Sequence, residues 1–482
     1  MAIRLHNTYS REVEEFAPID PDGKVVKMYT CGPTVYGYAH IGNFRAYIFE
    51  DLLQRHLEVR GYDVQRVMNL TDVDDKTIRN SAAAGIPLGE FTQEYKDAFF
   101  KDLDTLNIKR ADHYPAATDD ANIAKMIEMI EQLVDEGFAY QADDRSVYFR
   151  ISAFPEYGKL AHLNLDELRP TGRIQNDEYE KESIGDFALW KAWSEIDGDV
   201  GWDSPWGRGR PGWHIECSAM AARILGDEID IHCGGVDNIF PHHEAEIAQS
   251  QCCQPDKKFV RYWIHNQHLR IDGGKMSKSA GNFFTLRDLL DAGWSGREVR
   301  YMLISVRYDQ PLNFVVRDKQ TGEVTWESLA ASRKALARID EWVARLEKHA
   351  AGAGEGKPIA LIEECGFLEA LDDNLNIAGA LGHLFDAIRE TNKLIDRDEL
   401  SPAEARGVLD WWHGEVDAVL AFGATGAGAD EAIPAEIQGM LDERAAARAA
   451  KDFAESDRLR DAIAAAGWTV IDGKEGQTLK PG

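Results

Sequence analysis

The segment His40-Ile41-Gly42-Asn43 sets two hydrogen-bonding side chains around a glycine. It stands where an apolar helical pattern begins. A helix start offers free N–H groups and a partial positive charge to an anion. Gly42 lets a ligand come close to the backbone. His40 and Asn43 can donate to phosphate oxygens, which suits charge stabilisation at an attacked phosphate. A second segment, Lys275-Met276-Ser277-Lys278-Ser279, follows Asp272-Gly273-Gly274 and precedes Ala280-Gly281-Asn282. Two lysines on a glycine-bracketed loop suit a mobile clamp on a leaving pyrophosphate. Each segment alone also fits a plainer reading: an ordinary helix start with a surface histidine, or a solvated basic loop. A third constellation is dispersed. Cys31 ends a strand-like run, Cys217 lies in a helical pattern, and Pro241 reads as the first residue of another helix. His242 and Glu246 would then share a face, and His243 is three residues from Glu246. Two thiolates, an imidazole and a carboxylate make a zinc set. Two core cysteines account for the same residues, because cysteine is among the most buried types.

These residues need elements to position them. Val25 to Cys31 is a β-rich run and Gly32 to Ala39 a turn-rich loop. Phe49, Leu52, Leu53 and Leu57 form one apolar face of a helix from about Ile41 to Arg60, stopped at Gly61. Val64 to Leu70 is the next strand. Strand, helix, strand in this order implies parallel pairing in a doubly wound, Rossmann-like α/β fold. Ligands bind beyond the carboxyl ends of such strands, where the loop from Cys31 to Asn43 lies. Further amphipathic helices carry Tyr95, Phe99, Leu103 and Leu106, then Ile123, Met126, Ile127, Ile130 and Val134. From Ala139, strand-like Ser146 to Phe149 gives way to loop-rich sequence through Gly212. The helical pattern resumes at Trp213, and Ile229 to His232 reads as a strand. Beyond Leu290 the chain is mostly helical, with small-residue linkers near 349–357 and 423–430.

The length implies several domains. No apolar run approaches a membrane span, and the first residues hold no apolar secretory core. A cytoplasmic chain with no membrane partner is expected, and nothing suggests an obligate dimer, so a monomer is expected too. Six cysteines without a CxxC pair do not read as a disulfide framework. The net charge of -29 pulls against a nucleic-acid partner, unless basic residues are gathered locally.

The two signature segments, in this order on a βαβ unit, resemble the HIGH and KMSKS motifs of class I aminoacyl-tRNA synthetases. Within that class the chain is similar to the cysteinyl-tRNA synthetase family. The similarity rests on Tyr29-Thr30-Cys31-Gly32-Pro33-Thr34-Val35-Tyr36, Thr71-Asp72-Val73-Asp74-Asp75-Lys76, Asp186-Phe187-Ala188-Leu189-Trp190-Lys191, Gly212-Trp213-His214-Ile215-Glu216-Cys217 and Pro241-His242-His243-Glu244-Ala245-Glu246. The resemblance implies L-cysteine, Mg2+-ATP and tRNA(Cys) as substrates, with one Zn2+ on Cys31, Cys217, His242 and Glu246. It implies ATP contacts at His40, Gly42, Asn43, Lys275 and Lys278, with Asp237 near the ribose. Thr71 would hold the substrate amino group and Trp213 would wall the cysteine pocket. Arg448, Phe453, Asp457 and Asp472 stand where the family contacts anticodon bases. Zinc would serve selectivity, since a soft-accepting ion favours a thiolate over a hydroxyl. The implied organisation is a catalytic domain in two parts, 1–138 and 213–264, around a connective insertion at 139–212. A linking domain with the lysine loop follows at 265–325, then a helical bundle at 326–423 and an anticodon-binding domain at 430–482. Two rivals are an amino-sugar ligase sharing the cysteine-activating site and a non-catalytic tRNA-binding relative.

Overall fold

The computed structural model describes residues 2–163, 169–174, 183–276, 282–318, 321–423, 435–449, 452–465, 468–473 and 476–481. The chain divides into two units, Met1–Ala421 and Phe422–Gly482. In the first, seven elements build the layer that matters for chemistry: β1 (Val25–Thr30), α1 (Ile41–Val59), β2 (Asp63–Met68), α2 (Trp213–Leu225), β3 (Ile229–Gly235), α3 (Glu244–Cys253) and β4 (Val260–Asn266). The strands form one parallel sheet in the order β4-β3-β1-β2. Helices cover both faces, which is why β3 is buried nearly throughout, its polar Asp230 and His232 included. On one face Phe49, Leu53 and Leu57 of α1 pack on Val26, Met28 and Ile231. On the other, Ile215, Met220 and Ala248 pack with Tyr29, Val67 and Trp263. The chain leaves β1 for β2 on one side, while β3 lies on the other. The strand order therefore reverses between β1 and β3, and a crevice opens at their carboxyl ends.

The insertion differs from its loop-rich expectation. Ser183–Ala192 is a ten-residue strand at the centre of a second sheet, flanked by Val147–Phe149, Arg169–Ile174 and Gly209–Pro211. Phe187, Ala188, Leu189 and Trp190 are all buried, so the strand shows no polar alternation. Pro241 is also placed differently. It lies in the helical turn Ile239–His243, and the regular helix α3 begins at Glu244.

The helix Gly296–Ile304 locks onto α1 through buried arginines. Arg300 Nη2 donates to Asp51 Oδ2 at 2.5 Å, with both side chains fully buried. Burial raises the Asp51 pKa, but Arg300 and Arg55 more than reverse this and hold it below the usual carboxylate range. Arg45 donates to the carbonyls of Leu303, Val306 and Arg307 at the end of the same helix. Arg300→Met removes one partner of a buried pair, and a loss of about 3–5 kcal/mol in denaturant unfolding of this unit is expected. A loss under 1 kcal/mol would mean that Arg55 alone satisfies Asp51.

The second unit holds the helices Ala435–Ala449 and Phe453–Ala465 and the hairpin Trp468–Gly473 with Gly476–Pro481. Ile437, Leu441 and Ile463 are its core. Among the described residues no helix is long and apolar enough to cross a membrane.

Candidate active site and metal centre

His40 is the N-cap of α1, and it is capped in return. Its Nδ1 accepts from the Asn43 N–H at 3.2 Å, while its own N–H donates to Asn43 Oδ1 at 3.0 Å. A ring nitrogen that accepts carries no proton, so this contact assigns the proton of the neutral imidazole to Nε2. The cap thus fixes His40 as an Nε2–H donor. Gly42 has its own steric reason: a Cβ there would meet His40 Nδ1 and Met276 Cε, both at 2.9 Å.

Met276 belongs to the second signature loop, so the two segments meet. The Ile41 N–H donates to the Phe284 carbonyl at 3.0 Å, and the Phe283 ring stands edge-on to His40 at 5.2 Å. Lys275 closes the hairpin Leu269–Ile271 with Gly274–Lys275. Asp272 and Gly273, with φ of 50° and 84°, form its turn. Asn282 Nδ2 donates to the Lys275 carbonyl at 3.1 Å. Lys278 lies outside the described residues.

The third constellation assembles at the crevice. Cys31 follows β1, Cys217 lies on α2, His242 lies in the turn Ile239–His243 and Glu246 in the first turn of α3. Their donor atoms fall within 4.8 Å of one another. An overlapping set keeps Cys31 and Glu246 but takes His232 and His243 instead. His232 was not foreseen, because a lone histidine in an apolar strand carries no ligand signal. Its Nε2 lies 3.0 Å from Glu246 Oε2, and His243 Nε2 lies 3.3 Å from Cys31 Sγ. The donors fit a cation. Glu246 Oε1 is buried with no hydrogen-bond partner, although His242 Nε2 faces it at 3.2 Å. A metal ion would satisfy both atoms. Burial holds the imidazoles neutral, their ligating form, pushing His242 down to about 3 and His243 well below its usual range. The contact with Cys217, then burial, pushes the Cys31 thiol well up, and burial raises Cys217. Cys233, Cys252 and Cys253 are buried in the core and are not in either set.

The remaining candidates line the same edge. The Trp213 ring stacks on His242 at 4.2 Å and 10°. Thr71 Oγ1 donates to Glu216 Oε2 at 3.0 Å and accepts from Asn69 Nδ2 at 3.1 Å. Its proton is committed, and a lone pair remains, which suits an ammonium donor. Asp237 follows β3, and a Cβ on Gly235 would stand 2.4 Å from Asp237 Oδ1. Glu244 was also missed. Its carboxylate accepts from the N–H groups of Gly158 at 2.7 Å and Ala161 at 2.9 Å, which fastens the insertion to α3. Arg448, Phe453, Asp457 and Asp472 all fall in the second unit, where Arg448 and Asp457 are exposed.

A parallel sheet with the His40 segment at its switch point, and Lys275-Met276 of the second segment against it, is the catalytic architecture of a class I aminoacyl-tRNA synthetase. Residues 17–322 match the family model for the class I (C) tRNA synthetase catalytic domain. Residues 366–411 match a DALR domain and 430–479 the cysteinyl-tRNA ligase anticodon binding domain. Solved structures agree on the fold. Mycobacterium tuberculosis methionyl-tRNA synthetase with methionyl-adenylate superposes with a TM-score of 0.60 at 18% identity, over 82% of this chain and 89% of that one. Among curated relatives, a cysteine–tRNA ligase of Chlamydia muridarum is 50% identical over 100% of both chains. One of Protochlamydia amoebophila is 48% identical over 99% of this chain and 98% of its own. The chain belongs to the cysteine–tRNA ligase family.

Proposed function

We propose that this chain activates L-cysteine with Mg2+-ATP and transfers the cysteinyl group to the 3′ end of tRNA(Cys). The observation that carries the reading is a thiol, imidazole and carboxylate cluster at the same sheet edge as the His40 cap. The substrate carboxylate attacks the α-phosphorus in line, forming cysteinyl-adenylate and releasing pyrophosphate. His40 Nε2–H and the Asn43 amide steady charge on the α-phosphate, and Lys275 and Lys278 steady the leaving group. Gly42 lets ATP approach the backbone and leaves room for the His40 ring, and Asp237 receives the ribose. Thr71 accepts from the substrate ammonium, and Trp213 walls the pocket. Cys31, Cys217, His242 and Glu246 would hold Zn2+, which would offer the substrate sulfur a soft partner and so favour cysteine over serine. A terminal ribose hydroxyl of tRNA then attacks the acyl carbon, and AMP leaves. Arg448, Phe453, Asp457 and Asp472 read unpaired anticodon bases by stacking and hydrogen bonds.

Two readings are set aside. The match of 430–479 to an anticodon-binding model disfavours the amino-sugar ligase. His40, Lys275 and Lys278 are all in the chain, against a non-catalytic relative. The test is ATP–pyrophosphate exchange with cysteine and with serine, with and without a chelator, followed by charging of total tRNA. Exchange without charging would move the reading to another acceptor. Lys278→Ala is expected to slow exchange about a hundredfold with little change in cysteine binding. Unchanged exchange would remove Lys278 from the leaving-group clamp.

A further inference from the structure

An acidic chain that handles tRNA needs its cations where the nucleic acid arrives. Two of its most exposed aromatic rings, Tyr36 at 37% and Tyr38 at 44%, lie in the loop between Cys31 and His40. Each carries a cation over its face. Lys76 Nζ stands 5.3 Å from the Tyr36 ring centre, and Arg287 Cζ stands 4.4 Å from that of Tyr38. The cations come from both sides of the site. Lys76 is on the helix Asp75–Ala84 just after Thr71, and Arg287 is on the helix Leu286–Asp291 just after the second signature loop. Arg79 is exposed on the same helix as Lys76, one turn on. The Tyr38 side of the rim is held rather than loose. Tyr38 Oη donates to Glu94 Oε1 at 2.9 Å, its ring meets Tyr95 edge-on at 5.3 Å, and Arg287 is anchored on Asp102 at 2.9 Å.

Exposed aromatic faces interleaved with Lys and Arg are the chemistry that binds single-stranded nucleic acid: bases stack, and phosphates meet cations. The position decides which strand. The rim is continuous with the loop that holds His40, so whatever stacks there ends beside the adenylate. We propose that Tyr36 and Tyr38, with Lys76, Arg79 and Arg287, bind the unpaired 3′-terminal nucleotides of tRNA and deliver the terminal ribose to the acyl carbon. This subsite rests on the tRNA-ligase reading above.

The test pairs enzyme variants with two probes, intact tRNA and the same tRNA lacking its three terminal nucleotides. Tyr36→Leu is expected to weaken intact tRNA about tenfold, as loss of one stacked base does, and to leave the truncated tRNA unaffected. The transfer step from preformed adenylate should slow, with the KM for tRNA raised, while cysteine-dependent exchange stays within about twofold. Tyr36→Phe and Tyr38→Phe keep the rings and should bind as wild type does, which separates stacking from folding. Equal losses on both tRNAs, no loss at all, or an equal fall in exchange would overturn the subsite; the last would give the rim to ATP. A wild-type chain that exchanges but neither binds nor charges tRNA would overturn the ligase reading, and the rim with it.

Discussion

Cys217→Ser is expected to cut the preference for cysteine over serine to what shape alone supplies while leaving the fold intact. The two substrates differ by one atom, and a pocket built by shape alone separates such near-isosteres by only about a hundredfold. The donor set at the crevice adds a distinction of chemistry: a soft ion takes a thiolate and gains little from a hydroxyl. Serine at 217 leaves Cys31, His242 and Glu246 without their second sulfur. Metal affinity should fall at least about 10–100-fold, and cysteine-dependent exchange should fall with it. Elemental analysis of the purified variant, with exchange measured for both amino acids, reads the two effects together. If Cys217 were a core residue only, the variant would keep its metal and its selectivity and lose only some stability. The same assay separates the overlapping donor sets. His242→Ala should release the metal. His232→Ala should retain it more tightly than His242→Ala does, because His232 then only orients Glu246 through its 3.0 Å contact. The reverse order would transfer the ion to the set that contains His232 and His243.

Much of this site was legible in the sequence because its two ends are local. Composition marked β1, periodicity marked α1, and β2 followed; a strand-helix-strand unit has one favoured handedness and one active edge. The pairing of Cys31 with Cys217 was not legible in that way. It depends on β3 inserting beside β1, with Met28 opposite Ile231, two hundred residues on in the chain. Only resemblance to a family chose those cysteines, and only coordinates show the second set built on His232. The insertion misled because periodicity is blind to a strand buried on both faces, and 187–191 within Ser183–Ala192 is such a run. Pro241 misled because a proline before a helical pattern fits a first helical position, whereas here a separate turn intervenes before Glu244. Lys278 stays an inference from sequence. Its neighbours Met276 and Asn282 are in place against Gly42 and Lys275.

His40→Ala is expected to cost about a thousandfold in adenylate formation, the upper end of what loss of a single phosphate donor costs. The reason is that His40 performs two tasks through two atoms. Nδ1 caps α1 by accepting the Asn43 N–H, and this contact places the proton on Nε2, the atom available to the α-phosphate. Removing the ring takes away the donor, worth about 10²–10³ in rate. It also takes away the cap, worth about 1 kcal/mol of helix stability, and so loosens the backbone that aims the site. Asn43 separates the two contributions. Its Oδ1 closes the capping box, a task that threonine performs at the equivalent position of the helix Asp75–Ala84, where Thr77 pairs with Asp74. Asn43→Thr therefore preserves an acceptor for the His40 N–H and deletes the amide donor. Asn43→Ala deletes both. Melting should be unchanged in the threonine variant and lowered in the alanine variant, with kcat for exchange lower in both and lowest in alanine. A threonine variant as fast as wild type would make Asn43 a cap alone, with phosphate stabilisation resting on His40 and the free N–H groups of α1.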